Sequence, residues 1–323
     1  MNIKPVFKIL SSILVCLFLA DAGKAQWVTP DEVEFYTREW DGERDQYGRP
    51  LVSDNLLERI KYVSLEEAWG SVRGRGYDNK FEGDWEIMHP QQLMVGRALT
   101  AVYMPASPDL EERLIAKGRA RGFEGSPNQW PIYMLEEGDI YVADGFGKIE
   151  WGPLIGENLG NAIYTNSGNG PVIYGSARNV EGLRQIEGFN AWVKGWHPTW
   201  ANESMLMSIN GPTRIGGAIV LPGDVVLATE AGVLFIPPHM AEEVVLGSEV
   251  TRITDRFRTT RVREGVYTLD QVYATHWSEA INEDFYDWVE EHRTRLHEVH
   301  GVGLGTIDNM LETRSRNWRE WVD

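Results

Sequence analysis

The chain has 323 residues, of which 42% are hydrophobic and 24% charged, with 48 acidic against 31 basic side chains. That is the composition of a folded globular chain, because a disordered one lacks the apolar content that offsets ordering entropy. The net charge of −17 excludes a protein that grips nucleic acid by broad electrostatics and argues against an anionic membrane surface. Neutral substrates, or acids bridged by a cation, fit it.

Residues 1–25 read as an export signal. Lys4 and Lys8 precede an apolar run from Ile9 to Ala20, and Gly23 and Ala25 stand at the −3 and −1 positions of a cleavage site. The run is short for a membrane span and no second one follows. The expected product of cleavage is exported, periplasmic or secreted, without membrane attachment or a nucleic-acid partner; retention of the segment as an N-terminal anchor is the alternative. Cleavage removes three lysines and Asp21, leaving 28 bases against 47 acids and a net charge of −19. It also removes Cys16, the only cysteine. Disulfides, thiolate nucleophiles, zinc–thiolate sites and iron–sulfur clusters are thereby excluded.

Next comes an N-terminal helical arm over 26–90. Thr29-Pro30-Asp31-Glu32 reads as an N-cap, a proline at the first helical position and a capping-box glutamate. Ser53 caps a second helix through Leu56, Leu57 and Ile60, and Ser64 with Glu67 caps a third. A core follows over 91–246. Strand-like runs lie at Val95–Met104, Ile140–Ala143, Pro171–Tyr174, Ala191–Val193, Ala218–Leu221, Val225–Ala228 and Val233–Ile236. Helical patterns occupy Asp109–Arg121, Asn158–Asn166 and Val180–Ile186. The last strands are separated only by turns and should form hairpins. Gly138-Asp139 and Gly223-Asp224 each feed a buried strand, which reads as one turn solution used twice rather than an old duplication. Beyond Pro237-Pro238, a C-terminal helical extension over 247–323 follows: Met240–Arg258 and Glu283–His300 are long amphipathic stretches, and a polar tail starts at Thr306.

The phosphate-loop, dinucleotide-binding, nucleophile-elbow and HExxH motifs are absent from the sequence. His292, His297 and His300 are spaced five and three apart, which does not put them on one helical face; they read as a solvated helix end. Trp192, Trp196 and Trp200 recur every four residues around His197, a pattern open to sugar stacking or to ordinary packing. The informative stretch runs from Asp144-Gly145 through Gly156-Glu157-Asn158-Leu159 to Gly175-Ser176-Ala177-Arg178-Asn179. Glu157 opens a helix and Arg178 follows a buried strand, positions that converge in α/β clefts. Together they could hold a cation on one side and a carboxylate on the other, or form a purely structural ion pair.

These blocks, with Gly96-Arg97-Ala98-Leu99-Thr100, Gly138-Asp139, Gly216-Gly217 and Pro222-Gly223-Asp224, resemble the RraA-like family over roughly 96–245. That family includes the regulator of RNase E activity and the class II 4-hydroxy-4-methyl-2-oxoglutarate/4-carboxy-4-hydroxy-2-oxoadipate aldolases. Its aldolases carry an acid, twenty intervening residues and Arg-Asp; this chain has Glu157, twenty residues, then Arg178-Asn179. Asn179 replaces the aldolases' metal-binding Asp, so a dipole stands where a hard cation would meet a full charge.

The resemblance implies an α/β (α+β) swivelling β/β/α core with added helical arms, assembled as a homotrimer or hexamer with sites between subunits. It further implies a Mg²⁺- or Mn²⁺-dependent lyase that cleaves a small 2-oxo acid or sugar-derived acid by retro-aldol chemistry or decarboxylation. In that reading Arg178 and Glu157 are catalytic, and Arg178, Gly156, Asn158 and Leu159 bind substrate. Asn179 and Glu157 hold the metal. Asp144 is a further candidate, though a turn-forming role suits it better. The alternatives are a non-catalytic binding or scaffold protein that has lost the metal, and a carbohydrate-modifying lyase with a rebuilt site.

Overall fold

The structure, a computed structural model, describes residues 27–314, so the export signal expected over 1–25 lies outside the described residues. Three capped helices come first: α1 (Pro30–Tyr36), α2 (Asp54–Ile60) and α3 (Leu65–Gly74). Thr29 and Ser64 form full capping boxes with Glu32 and Glu67, and Ser53 accepts from the Leu56 amide. Strands β1 (Phe81–Glu82) and β2 (Glu86–Ile87) follow within 26–90, the stretch expected to be a helical arm. Each is only two residues long, too short to show a hydrophobic period, and each edges the main sheet.

The core then runs β3 (Met94–Pro105), α4 (Pro108–Ala120), α5 (Trp130–Tyr133), β4 (Asp139–Asp144), α6 (Glu157–Ser167), β5 (Pro171–Ala177), α7 (Val180–Leu183) and β6 (Trp192–Trp196). It continues through β7 (Ser204–Ile209), β8 (Thr213–Ile215), β9 (Ala218–Val220), β10 (Val225–Thr229) and β11 (Gly232–Ile236). The main sheet has the order β1-β11-β10-β3-β4-β5-β6-β2. Strands β3 to β6 are mutually parallel, whereas β10 and β11 form an antiparallel hairpin, as do β8 and β9. β3 is twelve residues long and changes partner along one edge: Met94–Arg97 pair with β10, and Ala101–Pro105 pair with β7.

The period-two alternation of the strands splits the core into two faces. Leu99, Ala101, Tyr103, Tyr141, Ala143 and Ile173 face the side that buries Trp130 and Ile163. Ala98, Ile140, Val142, Val172 and Trp192 face the β8–β9 hairpin. Helix α8 (Ala241–Arg263) closes the sheet with Ala241, Val244 and Val245, then carries on into a separate cluster with Val250, Ile253 and Phe257. That cluster is completed by α9 (Leu269–Val272), α10 (Glu279–Glu291), α11 (Arg293–Glu298) and α12 (Leu304–Thr313).

Several expectations are corrected. Helix α7 stops at Leu183, short of Ile186. The stretch 283–300 is two helices, because His292 leaves helical geometry at φ −97°, ψ 9° and stacks on Trp288. The polar tail from Thr306 is helix α12 through Thr313, with Ile307 and Met310 buried three residues apart; their polar neighbours mask that stripe.

The repeated Gly-Asp turn is built the same way twice. Gly138 and Gly223 take φ of 81° and 82°, a conformation that favours glycine. Asp139 accepts from the Glu136 amide at 2.9 Å and Asp224 from the Leu221 amide at 3.0 Å. Each buried carboxylate then meets a buried cation from the N-terminal segment: Arg49 at 2.8 Å and Lys80 at 2.7 Å.

Candidate active site

The carboxyl end of β5 forms the floor of a cavity of about 500 Å³. Its construction begins at the end of β4. Asp144 accepts from the Phe146 amide at 2.8 Å, and the Gly145 and Gly147 amides both donate to the Tyr174 carbonyl at 3.0 Å. These bonds turn the chain out of the sheet. It returns at Leu154, whose amide donates to Ser176, and the Arg178 amide donates to the Ile155 carbonyl. Segment 154–156 thus takes β4's place as the neighbour of β5 and sets Gly156 beside Arg178. A Cβ on Gly156 would sit 3.2 Å from the Arg178 side chain, so glycine lets the two strands of chain approach.

Helix α6 starts there. Gly156 is its N-cap and gives no side-chain cap, so the first amides, those of Glu157, Asn158 and Leu159, have no intrahelical partner, and all three residues line the cavity. Arg178 lines the same cavity, is exposed, and its guanidinium has no hydrogen-bond or ion-pair partner among the described residues. Free amides at a helix start beside an unpaired guanidinium favour a carboxylate.

Glu157 does not pair with Arg178. Its Oε2 accepts from Asn179 Nδ2 at 2.8 Å, and Asn179 itself sits in the left-handed region at φ 56°. The amide nitrogen turned to Glu157 leaves the Asn179 oxygen free to accept a hydrogen bond or to ligate a cation. Among the described residues no group of three or more His, Cys, Asp or Glu side chains is placed to hold a metal. One carboxylate and one amide oxygen suit only a hard cation that keeps most of its ligands as water and substrate, which is how magnesium is usually held. The donor set fits such an ion, weakly.

The structure therefore brings Gly156, Glu157, Asn158, Leu159, Arg178 and Asn179 to one cavity. Asp144 does not line it and makes the turn instead. Burial pushes the Asp144 carboxyl up, while the Phe146 amide and the charge of Arg214 oppose the shift. The three C-terminal histidines stay apart: the Nδ1 atoms of His292 and His297 bond the Trp288 and Val302 carbonyls respectively. Burial and three nearby arginines lower the pKa of His300. The tryptophan triplet divides. Trp192 is core, donating to the Thr229 carbonyl, Trp196 packs against the core, and Trp200 lines the cavity.

Sequence reasoning missed Ser126, Asn128, Gln129, Trp151 and Gly182. The first three come from the short turn at Pro127–Gln129 and its N-cap Ser126, far away along the chain. Gly182 carries a signal visible only in three dimensions: a Cβ there would lie 2.4 Å from Glu157 Oε2.

The family model described as RraA-like, Aldolase/RraA, matches residues 54–235. The chain belongs to the RraA-like family. It is 30% identical over 227 residues to protein DlpA of Legionella pneumophila, covering 67% of this chain and 33% of that protein. It is 29% identical over 107 residues to the 4-hydroxy-4-methyl-2-oxoglutarate aldolase of Thermus thermophilus, covering 32% of this chain and 64% of that enzyme. The chain thus spans a third of the one relative and under two thirds of the other. Among solved structures, the RraA-like fold matches Streptomyces coelicolor RraAS2, described as an unusual member of the RNase ES inhibitor RraA family. The TM-score is 0.55 at 22% identity, over 65% of this chain and all of that one.

Proposed function

We propose that this RraA-like chain is a carbon–carbon lyase that cleaves a small 4-hydroxy-2-oxo acid to pyruvate and a second carbonyl compound. The observation that carries the reading is the unpaired Arg178 guanidinium beside the free first-turn amides of α6. The substrate carboxylate binds the amides of Glu157, Asn158 and Leu159, and Arg178 faces the 2-oxo oxygen. A Mg²⁺ or Mn²⁺ ion held by Glu157 and Asn179 would supply chelation of the 2-oxo acid and electron withdrawal from it.

The chain's own residues do the rest. Glu157, directly or through a water it holds, accepts the 4-hydroxyl proton. The O–H electron pair becomes the new carbonyl bond, and the C3–C4 pair passes into an enolate whose oxygen faces Arg178. Return of a proton to C3 gives pyruvate. Arg178 acts where charge develops, so its removal should cost more in turnover than in ground-state binding. Export through residues 1–25 and assembly as a homotrimer or hexamer, with a neighbour completing the cavity, belong to the same proposal.

Pyruvate release from 4-hydroxy-4-methyl-2-oxoglutarate with Mn²⁺ tests it. Wild type should be active and Arg178→Ala slower by about 10²- to 10³-fold. Substitution of the aldolases' Asp by Asn179 favours one competitor, a binding protein without chemistry. Inactive wild type with activity gained in Asn179→Asp would establish that competitor instead.

A further inference from the structure

The cavity wall contains a feature that retro-aldol chemistry does not use. Trp200 is 55% exposed yet lines the cavity. A large exposed ring is ordinarily free to swing, but this one is braced. Trp151 meets it edge-to-face, with ring centroids 5.4 Å apart. Trp151 is itself fixed in the left-handed region at φ 57°, a conformation a bulky residue rarely adopts. Its amide donates to Thr199 Oγ1 at 2.8 Å, and Thr199 Oγ1 lies 2.9 Å from His197 Nδ1. The Trp151 carbonyl accepts from the Asn202 amide at 3.2 Å, locking the loop on the other side of Trp200. Strain held in place by several bonds around an exposed aromatic ring marks a built surface.

The rest of the wall matches a hydroxylated ligand. The Asn128 side chain makes no hydrogen bond within the described residues, and Ser126 stands beside it. At about 500 Å³ the cavity has the size that holds ligands much larger than a three-carbon acid. Aromatic faces stack on the apolar C–H faces of sugar rings, while amides and hydroxyls serve the ring's edges.

We propose that Trp200 is a stacking platform that selects a sugar-derived carboxylate, with the carboxylate at Arg178 and the α6 amides and the sugar ring over the indole. The assignment of the carboxylate end rests on the lyase reading; the platform does not. Trp200 is a specificity-determining residue, and Trp151 positions it.

Calorimetric titration of the full assembly with D-glucuronate and with oxalate separates the two claims. Wild type should bind glucuronate, Trp200→Ala should bind it about tenfold more weakly, and Trp200→Phe should recover most of the loss. Oxalate, which has no ring, should bind wild type and Trp200→Ala within twofold. Glucuronate binding that is absent in wild type, or unchanged in Trp200→Ala, overturns the platform. So does an altered oligomeric state of Trp200→Ala, which would make Trp200 an interface residue. Failure of oxalate to bind, with Trp200-dependent glucuronate binding intact, sinks the carboxylate site and leaves the platform standing.

Discussion

Residue identity at the cavity floor decides what the site can hold. Asn179 donates to Glu157 where an aspartate would repel it, so the pair is stable without a cation. Gly182 is what allows the Glu157 carboxylate to lie there. In Gly182→Ala the new methyl would displace the tip of an exposed side chain, which can move at little cost. Thermal unfolding should therefore change by less than about 1 kcal/mol, whereas turnover should fall about 10- to 100-fold as Glu157 is misplaced. Equal turnover in Gly182→Ala would show that the position of Glu157 does not matter. The residues of this floor were readable in sequence because they sit in two short blocks, 156–159 and 178–179. Gly182, Asn128 and Trp151 were not, since their roles depend on contacts between segments that no local pattern encodes.

Elements are joined by the repeated turn. Asp139 and Asp224 anchor the start of β4 and of β10, and Arg49 and Lys80 tie both to the N-terminal segment. Burial pushes both carboxyls above the ordinary aspartate value of 3.8, although the paired cations pull them back. A folded-state pKa above the unfolded one means that the native state takes up protons first. The stability this contributes is complete below 3.8 and is lost as pH rises through the folded value. Lys80→Met strands the Asp224 charge, and should cost about 3–5 kcal/mol at pH 7. The loss should shrink as pH falls and Asp224 is protonated, which urea denaturation at pH 7 and pH 5 measures. An equal loss at both values would contradict a charged Asp224. The turn itself was legible as Gly-Asp before an apolar run, and so were the strands it feeds. β7 was not, because its Ser-Met-Leu-Met-Ser-Ile sequence is weakly strand-like and pairs only because β3 overhangs β10.

At the scale of the molecule, two apolar clusters share one helix. α8 gives Val244 and Val245 to the sheet and Ile253 and Phe257 to the C-terminal cluster. Glu249, 1% exposed, is the joint: it takes both nitrogens of an Arg59 fork at 2.9 and 2.8 Å and the Gly303 amide at 3.0 Å. Phe257 meets Tyr267, Trp277, Phe285 and Trp288, so Phe257→Ala should destabilise the extension by about 3–5 kcal/mol. Hydrogen exchange should then show loss of protection over 267–313 while β3 to β5 keep theirs. Simultaneous loss in both would mean one cooperative unit rather than two. The extension was visible as amphipathic helices, but not its compactness, because α12 is short and its Ile307, Met310 and Leu311 stand among polar residues that read as a tail.

Calorimetric titration of the protein with oxalate, a mimic of the pyruvate enolate, in the presence and absence of Mn²⁺ is the most direct test of the site formed by Arg178 and the α6 amides. Oxalate binding that strengthens with Mn²⁺ and disappears in Arg178→Ala is the expected result. Oxalate binding equally to wild type and Arg178→Ala, or to neither, would contradict it.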